Sequence, residues 1–373
     1  MRVGIWSGLG RSDRYITGVG KHIVRVAEGL ARCTEGNLEL IIPKERGANA
    51  QPSGGVPQMF SDFEVKTLPY GRRTLEAIWT ASDALPIDRW APDCDWIYSP
   101  KESHAPVGRA KRAITVHDLY GLETDLHGER PSMGQRQYFR LLRRALKKSD
   151  LVLAVSEFTS QRLQDLMAVP GEKIRVIGNG VDEAFFAHDA SEKSEIKAAE
   201  SQPYLLAVGG ITKKKGAEAL LELVGNMVET CPEVTVRVIG PVEQSYKARV
   251  DALPNLEVVG RGLDDDGLRA LLAGAQGLLQ LSLYEGFGIP ALEAMAVSTP
   301  VIAADRASMP EVVGDAAILV DCCEPDSVLS AVNALMSDDA LRRDLVQKGH
   351  QQAQEFTWDR CADRVFAALK EFS

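Results

Sequence analysis

Short runs of β-branched and other apolar residues alternate with amphipathic helical stretches along this chain, and the alternation occurs twice. A first series of strands is expected at residues 3–6, 38–42, 96–98, 113–116, 151–155 and 174–177, and a second at 204–208, 234–239, 256–259, 278–281, 300–303 and 317–320. Strands separated by helices form parallel sheets with helices on their faces. Residues 18–31 read as the first helix, led by Gly18, and Ser156 is placed to cap the helix that follows the strand at 151–155. A polar loop containing Pro and Gly spans 44–58, and residues 188–203, rich in Ser, Glu, Lys and Ala, read as linker and surface helix. The expected class is α/β, with two Rossmann-like halves that bind ligands outside the carboxyl ends of their strands.

Composition removes several function classes. At 373 residues the chain is long enough for two domains, and its 45% hydrophobic and 25% charged content is that of a globular protein. No apolar run approaches the roughly 18 residues of a membrane span. The opening strand runs into Gly8 and Gly10 with no signal-peptide core, so a cytoplasmic protein is expected. Six cysteines lack C-x-x-C spacing, with Cys322 and Cys323 adjacent, which suits reduced thiols, and the histidines form no zinc-binding pair. A net charge of −9 argues against nucleic acid as a partner. One local basic face stands out: Arg136, Arg140, Arg143, Arg144 and Lys147 recur at helical spacing, with Tyr138, Leu142 and Ala145 on another side. Of the paired aspartates, Asp93 and Asp95 precede a strand, and Asp264 to Asp266 precede a helix that they suit as caps rather than as metal ligands.

The densest signal is Tyr284-Glu285-Gly286-Phe287-Gly288-Ile289-Pro290-Ala291-Leu292-Glu293-Ala294-Met295-Ala296. Gly286 and Gly288 permit close backbone approach to a ligand, and Pro290 suits a first helical turn. Strong helix formers follow, which puts Glu285 in the loop at the mouth of a helix and Glu293 about one turn into it. The amino end of that helix is a seat for phosphate, with one carboxylate on either side. A nucleotide-sugar, with hydroxyls flanking a diphosphate, fits this arrangement. Gly209-Gly210-Ile211-Thr212-Lys213-Lys214-Lys215-Gly216, directly after the strand at 204–208, is a second diphosphate cradle.

Together these strings resemble the retaining glycosyltransferases of family 4, which have the two-domain GT-B architecture. Glu285 and Glu293 match that family's E-x7-E motif. Lys215 matches its lysine, while Gly210 stands where its arginine usually lies, so that Lys213 or Lys214 is left to supply the charge. Gly18-Val19-Gly20-Lys21-His22 is similar to its glycine loop, Thr115-Val116-His117-Asp118 to its His-Asp strand end, and Asn179-Gly180-Val181-Asp182 to a turn closing its first domain. Asp118 reads as a cap or helper, and Glu311 as structural.

The resemblance implies a first domain at 1–186 on the acceptor side, a nucleotide-sugar domain at 187–356 facing it across a cleft, and a terminal helix at 357–373 that crosses back to the first. It implies transfer of a hexose from a nucleotide-sugar, GDP-mannose favoured over UDP-glucose, to a hydroxyl of a glycan or lipid-linked acceptor in cell-surface polysaccharide synthesis. His117, Glu285 and Lys215 would act at the reacting centre. Gly18, Gly20, Gly209, Gly210, Lys214, Gly286, Phe287, Gly288, Ile289 and Glu293 would bind the donor. No metal or cofactor is implied, since the nucleotide-sugar is a substrate. The basic helix face would touch anionic lipid at the inner membrane surface. Two alternatives remain at this point: a nucleotide-sugar 2-epimerase on the same architecture, and a non-catalytic partner subunit.

Overall fold

A computed structural model describes residues 1–6, 18–44, 63–123, 132–187, 202–260 and 263–373. The expected linker, as far as residue 201, and the expected loop from residue 45 to 58 lie outside the described residues. The chain divides into two compact units, Met1–Gly180 together with Trp358–Ser373, and Val181–Thr357. The division thus falls at Gly180, ahead of the expected residue 186.

In the first unit β1 (Val3–Trp6), β2 (Leu38–Ile42), β3 (Glu64–Thr67), β4 (Trp96–Ser99), β5 (Lys111–Val116), β6 (Leu151–Ala154) and β7 (Ile174–Val176) form a seven-stranded sheet in the order β3-β2-β1-β4-β5-β6-β7. All its pairings are parallel, with Ile5 in register with Leu40 and Tyr98. Burial on both faces explains why β1 and β6 read as continuous apolar runs. β3 is not among the expected strands because its Glu-Val-Lys-Thr is a mostly exposed edge strand, where charge guards an open ladder. Nor is α2 (Arg72–Ala81) among the expected elements, since it buries only Leu75 and Trp79.

Helix α1 (Gly18–Cys33) packs on α12 (Trp358–Glu371), and a Cβ on Gly29 would lie 2.2 Å from the Ala362 Cβ. Such close contact requires glycine. Helix α3 (Met133–Lys147) opens with a capping box between Ser132 and Gln135 and buries Leu141, Leu142, Ala145 and Leu146. Tyr138, expected beside Leu142 and Ala145, is instead 44% exposed, because the inward stripe begins only at Leu141. Arg136, Arg140, Arg143 and Lys147 are exposed, whereas Arg144 turns to Asp83 at 2.6 Å and leaves the basic face. Ser156 caps α4 (Glu157–Met167) by accepting from the Thr159 N–H at 3.0 Å.

The second unit carries a six-stranded parallel sheet in the order β10-β9-β8-β11-β12-β13, from β8 (Tyr204–Val208), β9 (Thr235–Ile239), β10 (Leu256–Gly260), β11 (Gly277–Gln280), β12 (Val301–Ala304) and β13 (Ile318–Val320). Helices α5 (Ala217–Thr230), α6 (Lys247–Asp251), α7 (Asp265–Gly274), α8 (Ile289–Ala296), α9 (Met309–Val313), α10 (Pro325–Ser337) and α11 (Asp339–Gln354) connect or follow them. Asp264 caps α7 through the Gly267 N–H at 2.8 Å. Strand order reverses direction between β1 and β4 in the first sheet and between β8 and β11 in the second. Crossovers leave opposite faces at such a point and open a crevice at the strand carboxyl ends, where doubly wound sheets bind ligands.

Candidate active site

At the β8/β11 switch point two loops meet. Gly209 and Gly210 leave β8 with φ of +114° and +89°, conformations that side chains rarely adopt. Space enforces the same choice: a Cβ on Gly210 would stand 2.2 Å from the Pro241 carbonyl oxygen, and one on Gly209 would stand 2.7 Å from Lys215 Cε. The absence of arginine at 210 is therefore built into the turn. The Leu283 N–H donates to the Lys214 carbonyl at 2.9 Å and ties the lysine turn to the loop after β11.

Glu285 is buried at the centre of this arrangement. Lys215 Nζ at 2.7 Å, Gln280 Nε2 at 2.6 Å and the Ser282 hydroxyl at 2.6 Å all donate to its Oε1, and none of these bonds uses Oε2. Burial alone would raise the carboxyl pKa. The charge and hydrogen bond of Lys215, the Ser282 hydroxyl and the charge of Lys214 outweigh it and hold the group below the ordinary carboxylate range. Glu285 is thus a buried anion at neutral pH. Lys214 Nζ lies 5.8 Å from the centre of the buried Tyr284 ring, while Lys213 is exposed with its N–H directed to Glu243 at 3.3 Å. Of the two candidates for the missing charge, Lys214 faces the site.

The main chain of the motif is clamped from behind. The buried Ser308 hydroxyl approaches the carbonyls of Glu285 at 3.0 Å and Phe287 at 2.9 Å. Gly288, with φ +107°, precedes α8, and a Cβ there would lie 2.7 Å from Met309 Sδ. Ile289 and Pro290 begin the helix, and Glu293 is buried on it. The structure therefore brings Gly209, Gly210, Lys214, Lys215, Glu285, Gly286, Phe287, Gly288, Ile289 and Glu293 onto the loops and helix that follow the central strands β8 and β11.

His117, Gly18 and Gly20 belong to the first unit. Both glycines lie in the first turn of α1, which begins at Gly18 as expected and runs to Cys33. That helix carries the fully buried His22, whose ring meets His117 edge-on at 4.7 Å. His22 Nδ1 lies 2.7 Å from Asn179 Oδ1, so the ring donates there, and Nε2 faces the Tyr98 hydroxyl at 3.4 Å. Burial first, then His117, drive the His22 imidazole well below its usual pKa against the Asn179 bond, leaving it neutral. His117 donates Nε2–H to the Pro100 carbonyl at 2.9 Å, and its backbone N–H donates to Glu102 Oε1 at 2.6 Å. Asp118 accepts from the Tyr120 N–H at 3.1 Å. Asn179, expected mainly to form a turn, also orients His22.

Gln280, Ser282, Ser308, His22 and Glu102 are absent from the expected site. Gln280 left a trace as the polar member of the run 278–281, but a serine such as Ser308 carries no pattern by itself. Among the described residues, Asp321, Cys322 and Cys323 offer ligand atoms within 4.8 Å of one another. Burial pushes the Cys322 thiol up to about 11, which opposes the thiolate a metal needs. All six cysteines are free.

The chain matches Glycosyl transferases group 1 over residues 189–352 and Glycosyltransferase Family 4 over residues 16–185. It belongs to glycosyltransferase family 4. It is 26% identical over 291 residues to O-antigen chain mannosyltransferase B of Escherichia coli, covering 74% of each chain. Further curated relatives are matched over 57% to 65% of their own length. Among solved structures, the sucrose-phosphate synthase of Thermosynechococcus elongatus superposes with a TM-score of 0.73 at 17% identity, covering 99% of this chain and 98% of that one. Anabaena Alr3699/HepE in complex with UDP and glucose does so with 0.69 at 16%, covering 99% of both. The fold is GT-B.

Proposed function

We propose that the chain is a retaining, metal-independent hexosyltransferase that takes its sugar from a nucleotide-sugar, with GDP-mannose favoured over UDP-glucose. The observation that carries this reading is the Lys215–Glu285 pair at the β8/β11 switch point, with Lys214 beside it and the amino end of α8 adjoining it. In this reading the diphosphate lies on Lys215, Lys214 and the α8 N–H groups, Glu293 holds the ribose hydroxyls, and Glu285 holds Lys215 in place through Oε1 while Oε2 meets a sugar hydroxyl. The backbone of Gly286 to Ile289 meets sugar and phosphate. His117 meets a sugar hydroxyl through its ring.

The acceptor hydroxyl oxygen attacks the anomeric carbon on the face that the leaving group departs. The new C–O bond forms as the bond from that carbon to the diphosphate breaks, and the acceptor proton passes to the leaving phosphate oxygen. The cations and helix end stabilise the charge that gathers on the diphosphate, so no metal ion is required. The mannosyltransferase relative supports the choice of sugar and the assignment of the acceptor as a glycan or lipid-linked glycan of cell-surface polysaccharide synthesis.

Among the described residues no helix is long and apolar enough to cross a membrane. A cytoplasmic protein touching the inner membrane surface through Arg136, Arg140, Arg143 and Lys147 of α3, with Met133 82% exposed beside them, completes the reading. Sedimentation with phosphatidylglycerol vesicles tests it, and binding should fall when Arg140 and Arg143 are both changed to Glu.

Thermal stabilisation by a panel of nucleotide-sugars, with slow donor hydrolysis as a second readout, tests the main assignment. At least one donor should stabilise the protein, and Glu293→Ala and Lys215→Ala should each lose the response. Indifference to every donor would sink the transferase reading, and an unchanged response in both variants would remove the residue assignment.

A further inference from the structure

Cys322 and Cys323 follow β13, and their sulfurs and an Asp321 carboxylate oxygen lie within 4.8 Å of one another. The two thiols have different surroundings. Cys322 is buried in the apolar core of the second unit, while Cys323 is exposed. The Cys323 N–H donates to Asp321 Oδ1 at 2.9 Å, which fixes the peptide between the cysteines in a tight turn. The Glu324 N–H donates to the Asp321 carbonyl at 3.1 Å and closes that turn ahead of α10.

Adjacency decides what such a pair can do. The peptide between the cysteines is trans, so their Cα atoms stand about 3.8 Å apart, below the roughly 4.4–6.8 Å of an ordinary disulfide. A bridge here encloses their own peptide bond in its ring, and is therefore strained and easily reduced. Such a bond is unsuited to holding a fold. It suits a site that follows the thiol–disulfide balance around the protein. Burial pushes the Cys322 pKa up to about 11 and keeps it a thiol, so the exposed Cys323 meets an oxidant first.

The same turn is tied to the donor loops. The carbonyl of Val320, the last residue of β13, accepts the Asp305 N–H at 2.8 Å. Asp321 Oδ1, which holds the Cys323 N–H, also faces Arg306 at 3.9 Å. Just beyond Arg306, Ser308 grips the carbonyls of Glu285 and Phe287. Ring closure rotates the Cys322–Cys323 peptide, takes its N–H from Asp321 and pulls on the segment that carries Ser308.

We infer that Cys322 and Cys323 form a redox-sensitive dithiol, which small-molecule disulfides close to a bridge, and that closure weakens the donor crevice. The dithiol chemistry stands without the transferase reading, whereas the coupling to the donor rests on it. The Cys323 thiolate attacks one sulfur of the small disulfide, breaks its S–S bond and releases one thiol. The Cys322 sulfur then gives up its proton, attacks the Cys323 sulfur and expels the second thiol. Two protein thiols are oxidised, and one disulfide is reduced to two thiols.

The test treats the full chain with glutathione disulfide and follows the tryptic peptide from Ala307 to Arg342, in which these are the only cysteines. Its mass should fall by two hydrogens, and reduced glutathione alone should restore it. In Cys322→Ala the peptide should instead keep one glutathione on Cys323, because the resolving thiol is gone. Nucleotide-sugar affinity, read by thermal stabilisation, should drop about fivefold or more in oxidised wild type. Cys323→Ser should fold normally, since the position is exposed, and its affinity should not respond to the oxidant. A wild-type peptide that stays unmodified, keeps a glutathione, or closes to a bridge that reduced glutathione cannot open would overturn the dithiol. Closure with unchanged donor affinity, or an equal loss in Cys323→Ser, would overturn the coupling. If no nucleotide-sugar stabilises the reduced protein, the transferase reading and the coupling both fall, while the peptide masses still decide the dithiol.

Discussion

The two switch points of this molecule are built from opposite materials. At β8/β11 the lining is glycine, lysine and a buried carboxylate, held by turns in which a Cβ would collide. At β1/β4 a cavity of about 470 Å³ is lined by Trp6, Trp79 and Tyr138, with the Arg72–Glu76 ion pair on its α2 side. One topology therefore frames two crevices with different linings. What differs is whether glycine turns and lysines, or aromatic faces, end up at the strand ends. The fold sets where a ligand sits, and the loops set what it is.

Removing the cation from the phosphate-type crevice should show this contrast most strongly. Lys215→Ala should lower kcat by about 10²–10³, the scale of one lost electrostatic contact to a developing charge. The emission of Trp6 and Trp79 at β1/β4 should be unchanged. A parallel loss at both crevices would break the distinction.

Next comes Gly210→Arg, which places arginine where family 4 proteins usually carry it. With φ at +89° and the Pro241 carbonyl 2.2 Å from the new Cβ, the change should cost on the order of 1–3 kcal/mol in backbone strain alone. Chemical denaturation should show the loss, with no gain in turnover. Higher activity at unchanged stability would mean that Lys214 does not replace the missing charge.

Ser308→Ala should cost about 1 kcal/mol by freeing the carbonyls of Glu285 and Phe287. Donor KM should rise modestly while kcat stays within a few-fold of wild type, as expected for a residue that shapes the loop from behind.

The smallest contrast at neutral pH is in titration, and it separates the units as pH falls. The buried His22 binds a proton less readily folded than unfolded, so the stability tied to its neutral form is present above about pH 6.5 and is lost below it. The depressed Glu285 contributes stability above about pH 4.3, its ordinary range, and loses it as pH falls through the lower folded value. Hydrogen exchange should therefore show α1 loosening before the loop after β11 does. His22→Gln should flatten the first dependence and Glu285→Gln the second. Simultaneous loosening in both places would contradict the assignments.

Legibility followed burial and repetition. Strands buried on both faces, such as Leu151–Ala154 and Tyr204–Val208, announce themselves as apolar runs, whereas the exposed edge strand Glu64–Thr67 does not. The motif residues at 209–216 and 285–293 were readable because glycine, proline and charge recur there in a fixed order. Their supports were not. Ser308 reaches its partners from a later helix turn, and Asn179 reaches His22 across 157 positions of sequence. The cavity at β1/β4 was also invisible, since Trp6, Trp79 and Tyr138 share no local pattern and converge only when the sheet forms.

The central claim is that Lys215, steadied by Glu285, receives a donor diphosphate. Calorimetric titration of GDP and GMP into wild type and Lys215→Met tests it directly. Wild type should bind GDP at least about tenfold more tightly than GMP, the scale of one charge-assisted contact, and Lys215→Met should lose that margin. Equal affinity for the two nucleotides in wild type, or an undiminished margin in the variant, would contradict the account.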